Sequence, residues 1–236
     1  MWKDYSFLLE EYYKMFEMVD AFHFNSQNTA EVYRRFLNVP NGSKIIPITH
    51  SGIGDHRKRR LFDSRVLRMG FVGSEAPYKG LPMLRNVIGR LNESGYEQQI
   101  QLNIYGGKVG KDCVLDNINY RGRFDSSQME SVYEAMDLLV VPSIWFETFS
   151  FTTIEALQYG VPVLVSDKVG AKDIVKKYAP LFIFKGKDNL YDIISQIIKN
   201  RSLLRDYNNN IMRHTWDFSL EKHSQNIVNE LYKIKD

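Results

Sequence analysis

Asp137-Leu-Leu-Val-Val-Pro-Ser143, then Glu147-Thr-Phe-Ser-Phe-Thr-Thr-Ile-Glu155-Ala-Leu157, then Val161-Pro-Val-Leu-Val165 is the stretch that decides how this chain folds. The first run is almost wholly apolar, as in a strand buried on both faces. The second predicts a loop and then a helix that stops near Gly160, and the third predicts another buried strand. Strand, helix, strand in that order is a βαβ unit with parallel strands. Glu147 then sits in the loop at the carboxyl end of the first strand, and Glu155, eight positions on, sits down the helix. Between them lie the N–H groups of a helix start, which lack partners inside the helix and attract anions, phosphates above all. A carboxylate just beyond them accepts hydrogen bonds from neutral hydroxyls such as a ribose diol. The pattern reads as a site for a sugar carried on a nucleoside diphosphate.

The same alternation runs outward from this unit. Val66–Val72, Ile100–Tyr105, Ile118–Arg121 and Leu181–Phe184 read as strands; Leu81–Leu91, Ser126–Met136, Ala171–Lys177 and Leu190–Lys199 read as helices. Repeated βα units argue an α/β fold with a doubly wound parallel sheet. Upstream, Tyr5–Val19 has helical apolar spacing, Ala21–Phe24 and Lys44–Ile48 are short strands, and a helix over 30–37 follows a cap at Asn25–Thr29. Ser51–Arg60, with two glycines and the basic run Arg57–Arg60, reads as a solvated linker. The tail from Ser202 is helical with a break at Trp216–Ser219 and an apolar set that includes Val228, Leu231 and Ile234.

Composition narrows the classes. With 44% hydrophobic and 25% charged residues, the chain is an ordinary globular protein, and a net charge of +3 is too small for an extended nucleic-acid surface. The lone Cys113 cannot form an intrachain disulfide, which fits a reducing cytoplasm, and with no histidine nearby in sequence it reads as structural or incidental. No apolar run reaches the ~20 residues of a membrane span. The expected location is cytoplasmic, with contact at the inner face of a membrane left open. Glu147, Glu155 and Asp137 cluster with no histidine in sequence, so no protein metal site and no cofactor are expected.

In doubly wound sheets ligands bind outside the carboxyl ends of the strands. The turns expected there are Gly73-Ser74-Glu75-Ala76-Pro77-Tyr78-Lys79-Gly80, Tyr105-Gly106-Gly107-Lys108, Arg121-Gly122-Arg123 and Ser143–Ser150. The first has neither G-x-G-x-x-G spacing nor the lysine-serine/threonine ending of a P-loop. Lys79 at a helix start opposes the helix dipole, which makes sense when an anion binds between it and the backbone. Trp145 and Phe146 read as core or pocket wall.

These residues resemble the C-terminal, donor-binding domain of GT-B glycosyltransferases of the large retaining family 4. Val140 to Val163 looks like that family's E-x7-E motif, Phe71-Val-Gly-Ser with Lys79-Gly80 like its first phosphate loop, and Arg121-Gly122 with Tyr133, Ala135 and Asp137 like the stretch leading into the motif. The resemblance runs from about Asp20 to about Tyr232. It implies that Glu155 holds the ribose, that Glu147 faces the donor sugar, and that the backbone of Phe149, Ser150, Phe151 and Thr152, with Gly73, Ser74, Gly106 and Lys79, holds the diphosphate. Tyr120 and Arg121 would lie at the base. Glu147 and Lys79 would be the catalytic pair, transfer would proceed with retention and without metal, and the donor would be a UDP-, GDP- or ADP-sugar.

Two departures stand out: Ser74 replaces an arginine common in the family, and Thr148 and Ser150 replace glycines. The resemblance also divides the chain. Residues 1–62 match the last elements of an N-terminal acceptor domain plus linker, 63–214 the Rossmann-like donor domain, and 215–236 a helix crossing back. The chain then reads as a remnant of one domain joined to a whole second one, an incomplete catalytic unit that needs the N-terminal domain in cis or in trans, with an acceptor of glycan or glycolipid type. An exposed apolar face is expected on the Tyr5–Val19 helix. The rival readings are a non-catalytic nucleotide-sugar-binding or docking module and a GT-B-type sugar epimerase fragment.

Overall fold

The computed structural model describes residues 5–107 and 115–232; Lys108, Cys113 and Ile234, named above, lie outside the described residues. The chain opens with α1 (Ser6–Glu17), β1 (His23–Phe24), α2 (Gln27–Arg34) and β2 (Lys44–Ile45), and β1 and β2 pair in parallel. Then follow β3 (Leu67–Val72), α3 (Leu81–Leu91), β4 (Ile100–Tyr105), β5 (Ile118–Gly122), α4 (Met129–Glu134), β6 (Leu138–Val141), α5 (Phe151–Leu157), β7 (Val163–Ser166), α6 (Lys172–Tyr178), β8 (Ile183–Phe184) and α7 (Gly186–Lys199). The described chain closes with α8 (Ser202–Arg213), α9 (Leu220–Asn226) and a π-helical turn over Ile227–Tyr232.

Strands β3 to β8 form one six-stranded parallel sheet in the order β5-β4-β3-β6-β7-β8. The expected α/β fold is present, and the order is that of a dinucleotide-binding half-and-half sheet, in which the direction of winding reverses between its first and fourth strands. Here that switch point falls between β3 and β6. All four residues of β6 and of β7 are buried, as the apolar runs predict for central strands covered by helices on both faces.

The β3–β6 seam is pinned at both ends. At its amino end Asp137, almost fully buried, accepts from Arg68 N–H (2.9 Å), Nε (3.1 Å) and Nη2 (2.6 Å). At its carboxyl end Gly80, at φ +79°, lies so close to Pro142 that an added Cβ would come within 1.7 Å of the proline carbonyl oxygen. Only glycine fits that approach. Two further bonds to Tyr78 O, from Ile144 N–H (2.9 Å) and Ser143 Oγ (3.1 Å), close the same junction.

The linker reading of Ser51–Arg60 is corrected. Ile53 is buried, Gly54 N–H donates to Gln158 Oε1 (2.8 Å) and His56 N–H to Gln158 O (3.0 Å). Arg57 Nη1 donates to Ile211 O (2.6 Å) and His214 O (2.7 Å) at the end of α8, and Arg60 Nη2 to Glu134 O (3.0 Å) and Met136 O (2.6 Å) at the end of α4. Lys58 reaches Glu130 (2.9 Å) and Glu134 (2.6 Å). Arg57 and Arg60 thus satisfy carbonyls at helix C-termini, where cations are favoured, while Lys58 and Arg59 stay exposed.

The strand read at Leu181–Phe184 is also shorter than expected, because Pro180–Phe182 forms a 3-10 turn and only Ile183–Phe184 pairs. Ser219 caps α9 through Lys222 N–H (3.1 Å), and α9 lies against the small sheet: His223 Nδ1 donates to Pro47 O (2.9 Å).

Candidate functional site

A cavity of about 140 Å³ opens at the switch point, walled by Phe71, Val72 and Gly73 at the end of β3, Val140, Val141 and Pro142 at the end of β6, and by Lys79, Glu147, Ser150, Phe151 and Thr152. Six residues singled out in the sequence therefore meet in one place: Gly73, Lys79, Glu147, Ser150, Phe151 and Thr152. Sheet order explains why, since only at the reversal do the loops of two neighbouring strands swing apart and leave a crevice.

Lys79 and Glu147 are paired, Nζ to Oε1 at 2.8 Å. Lys79 ends the 3-10 turn Pro77–Lys79 ahead of α3, and does not sit inside a helix start as the sequence suggested. Its charge is balanced by Glu147. The Glu147 loop is held from outside: Glu147 N–H donates to Lys168 O (3.0 Å), Gly170 N–H to Glu147 O (3.0 Å), and Ser26 Oγ and Thr29 Oγ1 donate to Thr148 O at 2.5 and 3.3 Å.

Ser150, just before α5, has φ 135° and ψ 99°, and is the one non-glycine with positive φ among the described residues. A side chain costs energy there, at a position where the resemblance leads one to expect glycine. Its Oγ accepts from Thr153 Oγ1 (3.1 Å) and lies 3.1 Å from Thr152 Oγ1. The N–H groups of Ser150, Phe151 and Thr152 take no backbone acceptor among the described residues. By contrast Gly73 N–H is spent on Tyr105 O (3.0 Å) and Gly106 N–H on Gly122 O (2.8 Å).

Glu155 lies one helical turn beyond Phe151, with a side chain only 15% exposed. Its Oε2 accepts from the buried Tyr133 hydroxyl at 2.7 Å. Burial, and then the Glu155 charge, hold the Tyr133 hydroxyl well above its ordinary pKa, so it remains a donor. Tyr133 was legible only as part of the approach to the motif, and its partner was not.

The remaining sequence candidates stand off this cavity. Phe149 is buried, its ring 5.8 Å from Phe151. Tyr120 packs on the core, Arg121 Nε donates to Asn103 Oδ1 (3.0 Å), and Ser74 is exposed. Trp145 is corrected: it is 67% exposed, neither core nor cavity wall. Phe146 walls a small recess with Asn28, Val32 and Tyr33, and Lys168 Nζ sits 4.6 Å above its ring. Glu155 meets a histidine that the sequence did not suggest, His50, with Nε2 3.7 Å from Oε1. Among the described residues no three His, Cys, Asp or Glu side chains group as metal ligands, and no helix is long and apolar enough to cross a membrane.

A Rossmann-like sheet of this order, with its cavity between the first and fourth strands, matches the Rossmann-like domains of GT-B proteins. A family model described as "Glycosyl transferases group 1" matches residues 53–214, and the chain belongs to that family. A GDP-mannose-dependent alpha-mannosyltransferase of Mycolicibacterium smegmatis is 33% identical over 137 residues, covering 57% of this chain and 34% of the relative. Anabaena HepE, solved in complex with UDP and glucose, superposes with a TM-score of 0.71 at 17% identity, covering 96% of this chain and 67% of that one. WaaG, a glycosyltransferase involved in lipopolysaccharide biosynthesis, superposes with a TM-score of 0.66 at 18% identity, covering 87% of this chain and 62% of that one. The chain spans between 27% and 44% of the length of the curated relatives it matches.

Proposed function

We propose that this chain binds a nucleoside-diphosphate sugar at the switch-point cavity and serves as the donor-binding part of a retaining, metal-independent glycosyltransferase. The observation that carries the reading is the convergence of Lys79, Glu147 and the α5 entry in one cavity of a group 1 family member. At about 140 Å³ the cavity is smaller than the roughly 300–1,000 Å³ that encloses a whole small ligand. It suits the diphosphate and the linked sugar, with the nucleoside lying along Phe151 toward Glu155.

In this reading the diphosphate accepts from the N–H groups of Ser150, Phe151 and Thr152, and draws the Lys79 ammonium away from Glu147. Fixed donors and a lysine then stabilise charge as it builds on the leaving diphosphate, the role a metal plays elsewhere. Glu147, released from Lys79, faces the sugar. The relative named for GDP-mannose and the neighbour solved with UDP support a nucleotide donor and leave its base open among UDP, GDP and ADP. The acceptor, of glycan or glycolipid type, is held by a further domain in cis or in trans. The unburied apolar face of α1 and the share of its relatives that this chain spans both support such a partner.

Titration calorimetry with UDP, GDP and ADP tests the proposal. One of them binds saturably, and Glu155→Ala weakens that binding by about 1.5–3 kcal/mol, the range for hydrogen bonds to a charged group. No saturable binding to any of the three overturns it.

A further inference from the structure

The segment after β2 carries His50 to the side of Glu155, 3.7 Å from Nε2 to Oε1. The imidazole also meets Phe151, a wall of the cavity, edge-on with ring centroids 5.2 Å apart. Its tautomer is set by the turn that follows, because Gly52 N–H donates to His50 Nδ1 at 3.1 Å. A nitrogen that accepts is unprotonated, so the neutral ring carries its hydrogen on Nε2. Gly52 makes room for this fold-back: a Cβ there would lie 3.0 Å from His50 Cε1.

Glu155 is committed on one side only. Oε2 holds the Tyr133 hydroxyl, and Oε1 is the oxygen turned to His50. A donor, Nε2–H, therefore faces an acceptor, Oε1, across a gap too long for a direct hydrogen bond. A group that both accepts and donates satisfies the two at once. A hydroxyl does this; a phosphate oxygen, which only accepts and is repelled by the carboxylate, does not.

We propose that His50 and Glu155 form a two-point clamp on one ribose hydroxyl, and that His50 is the residue that sets preference for ribo- over deoxyribonucleotide. The inference rests on the donor site proposed above and adds a residue from outside the α5 motif.

The test is calorimetric titration of the whole chain and its His50→Ala, His50→Gln and Gly52→Ala variants. The probes are the tightest binder among UDP, GDP and ADP and that nucleotide's 2′-deoxy and 3′-deoxy forms. The wild-type chain discriminates against one deoxy form. His50→Ala loses about 3- to 10-fold in affinity for the ribonucleotide, as expected for one hydrogen bond, and its affinity for the disfavoured deoxy form stays unchanged. His50→Gln, which keeps an N–H donor, regains part of the preference, and Gly52→Ala, which crowds the ring, loses part of it.

An unchanged ribo-to-deoxy ratio in His50→Ala overturns the clamp. So does an equal fall for both ligands, which would make His50 mere packing for Phe151. Equal wild-type affinity for all three forms overturns it too, while leaving the diphosphate cradle intact. Failure of the wild-type chain to bind any nucleotide sinks the donor site itself.

Discussion

Helices α1 and α7 start from the same kind of sequence and end in opposite environments. Both repeat apolar residues at helical spacing. In α7, six of 14 residues are buried, with Ile194 and Ile197 fully enclosed. In α1 none of 12 is buried, and Phe7 is 73% exposed. What the described residues give α1 is a set of ring contacts: Phe16 meets Phe22 at 5.9 Å and Tyr33 at 6.2 Å. Periodicity tells that a face is apolar; it does not tell whether this chain supplies the surface that covers it. α7 packs against α3, β8 and α8, which together cover its face. α1 belongs to the small β1–β2 layer, which has only two short strands to offer.

The contrast is sharpest when measured by truncation. Ile194→Ala in α7 is expected to cost about 2–5 kcal/mol by denaturant unfolding, from lost burial and the cavity left behind. A loss below about 1 kcal/mol would mean that the helix is not docked as described.

A smaller effect with the opposite sign is expected at Ser150. Ser150→Gly relieves a positive-φ strain of roughly 1–3 kcal/mol and loses part of it to glycine's extra backbone freedom. The net expectation is about 1 kcal/mol of added stability, and a destabilised variant would show that the Ser150 hydroxyl bonds outweigh the strain. The smallest effect belongs to α1: Phe7→Ser should stay within about 0.5 kcal/mol of the parent, as exposed positions do. A loss of 2 kcal/mol or more would erase the contrast, because it would show that Phe7 is already covered in solution.

The same contrast explains what the sequence disclosed. Strands β6 and β7 and helix α3 were legible because central parallel strands are continuous apolar runs and their helices are strongly periodic, both local signals. The Glu147–Glu155 spacing was legible for the same reason. Three things were not. The Lys79–Glu147 pair joins residues 68 positions apart, and the Tyr133–Glu155 and His50–Glu155 approaches likewise depend on which loops the sheet order brings together. The basic run Arg57–Arg60 has a local partner only in Asp55; its distant ones, backbone carbonyls at the ends of α4 and α8 for Arg57 and Arg60 and the Glu130 and Glu134 carboxylates for Lys58, leave no local sign. The positive φ of Ser150 was concealed by a residue type that seldom adopts it.

The central claim is that the crevice between β3 and β6 takes the diphosphate. The most direct measurement is a crystal structure of the chain with the nucleoside diphosphate that binds it best. The account predicts phosphate oxygens within about 3 Å of the Ser150, Phe151 and Thr152 N–H groups, with Lys79 Nζ moved off Glu147 toward them. A nucleotide bound elsewhere, with the Lys79–Glu147 pair unbroken and the crevice closed by its own side chains, would contradict it.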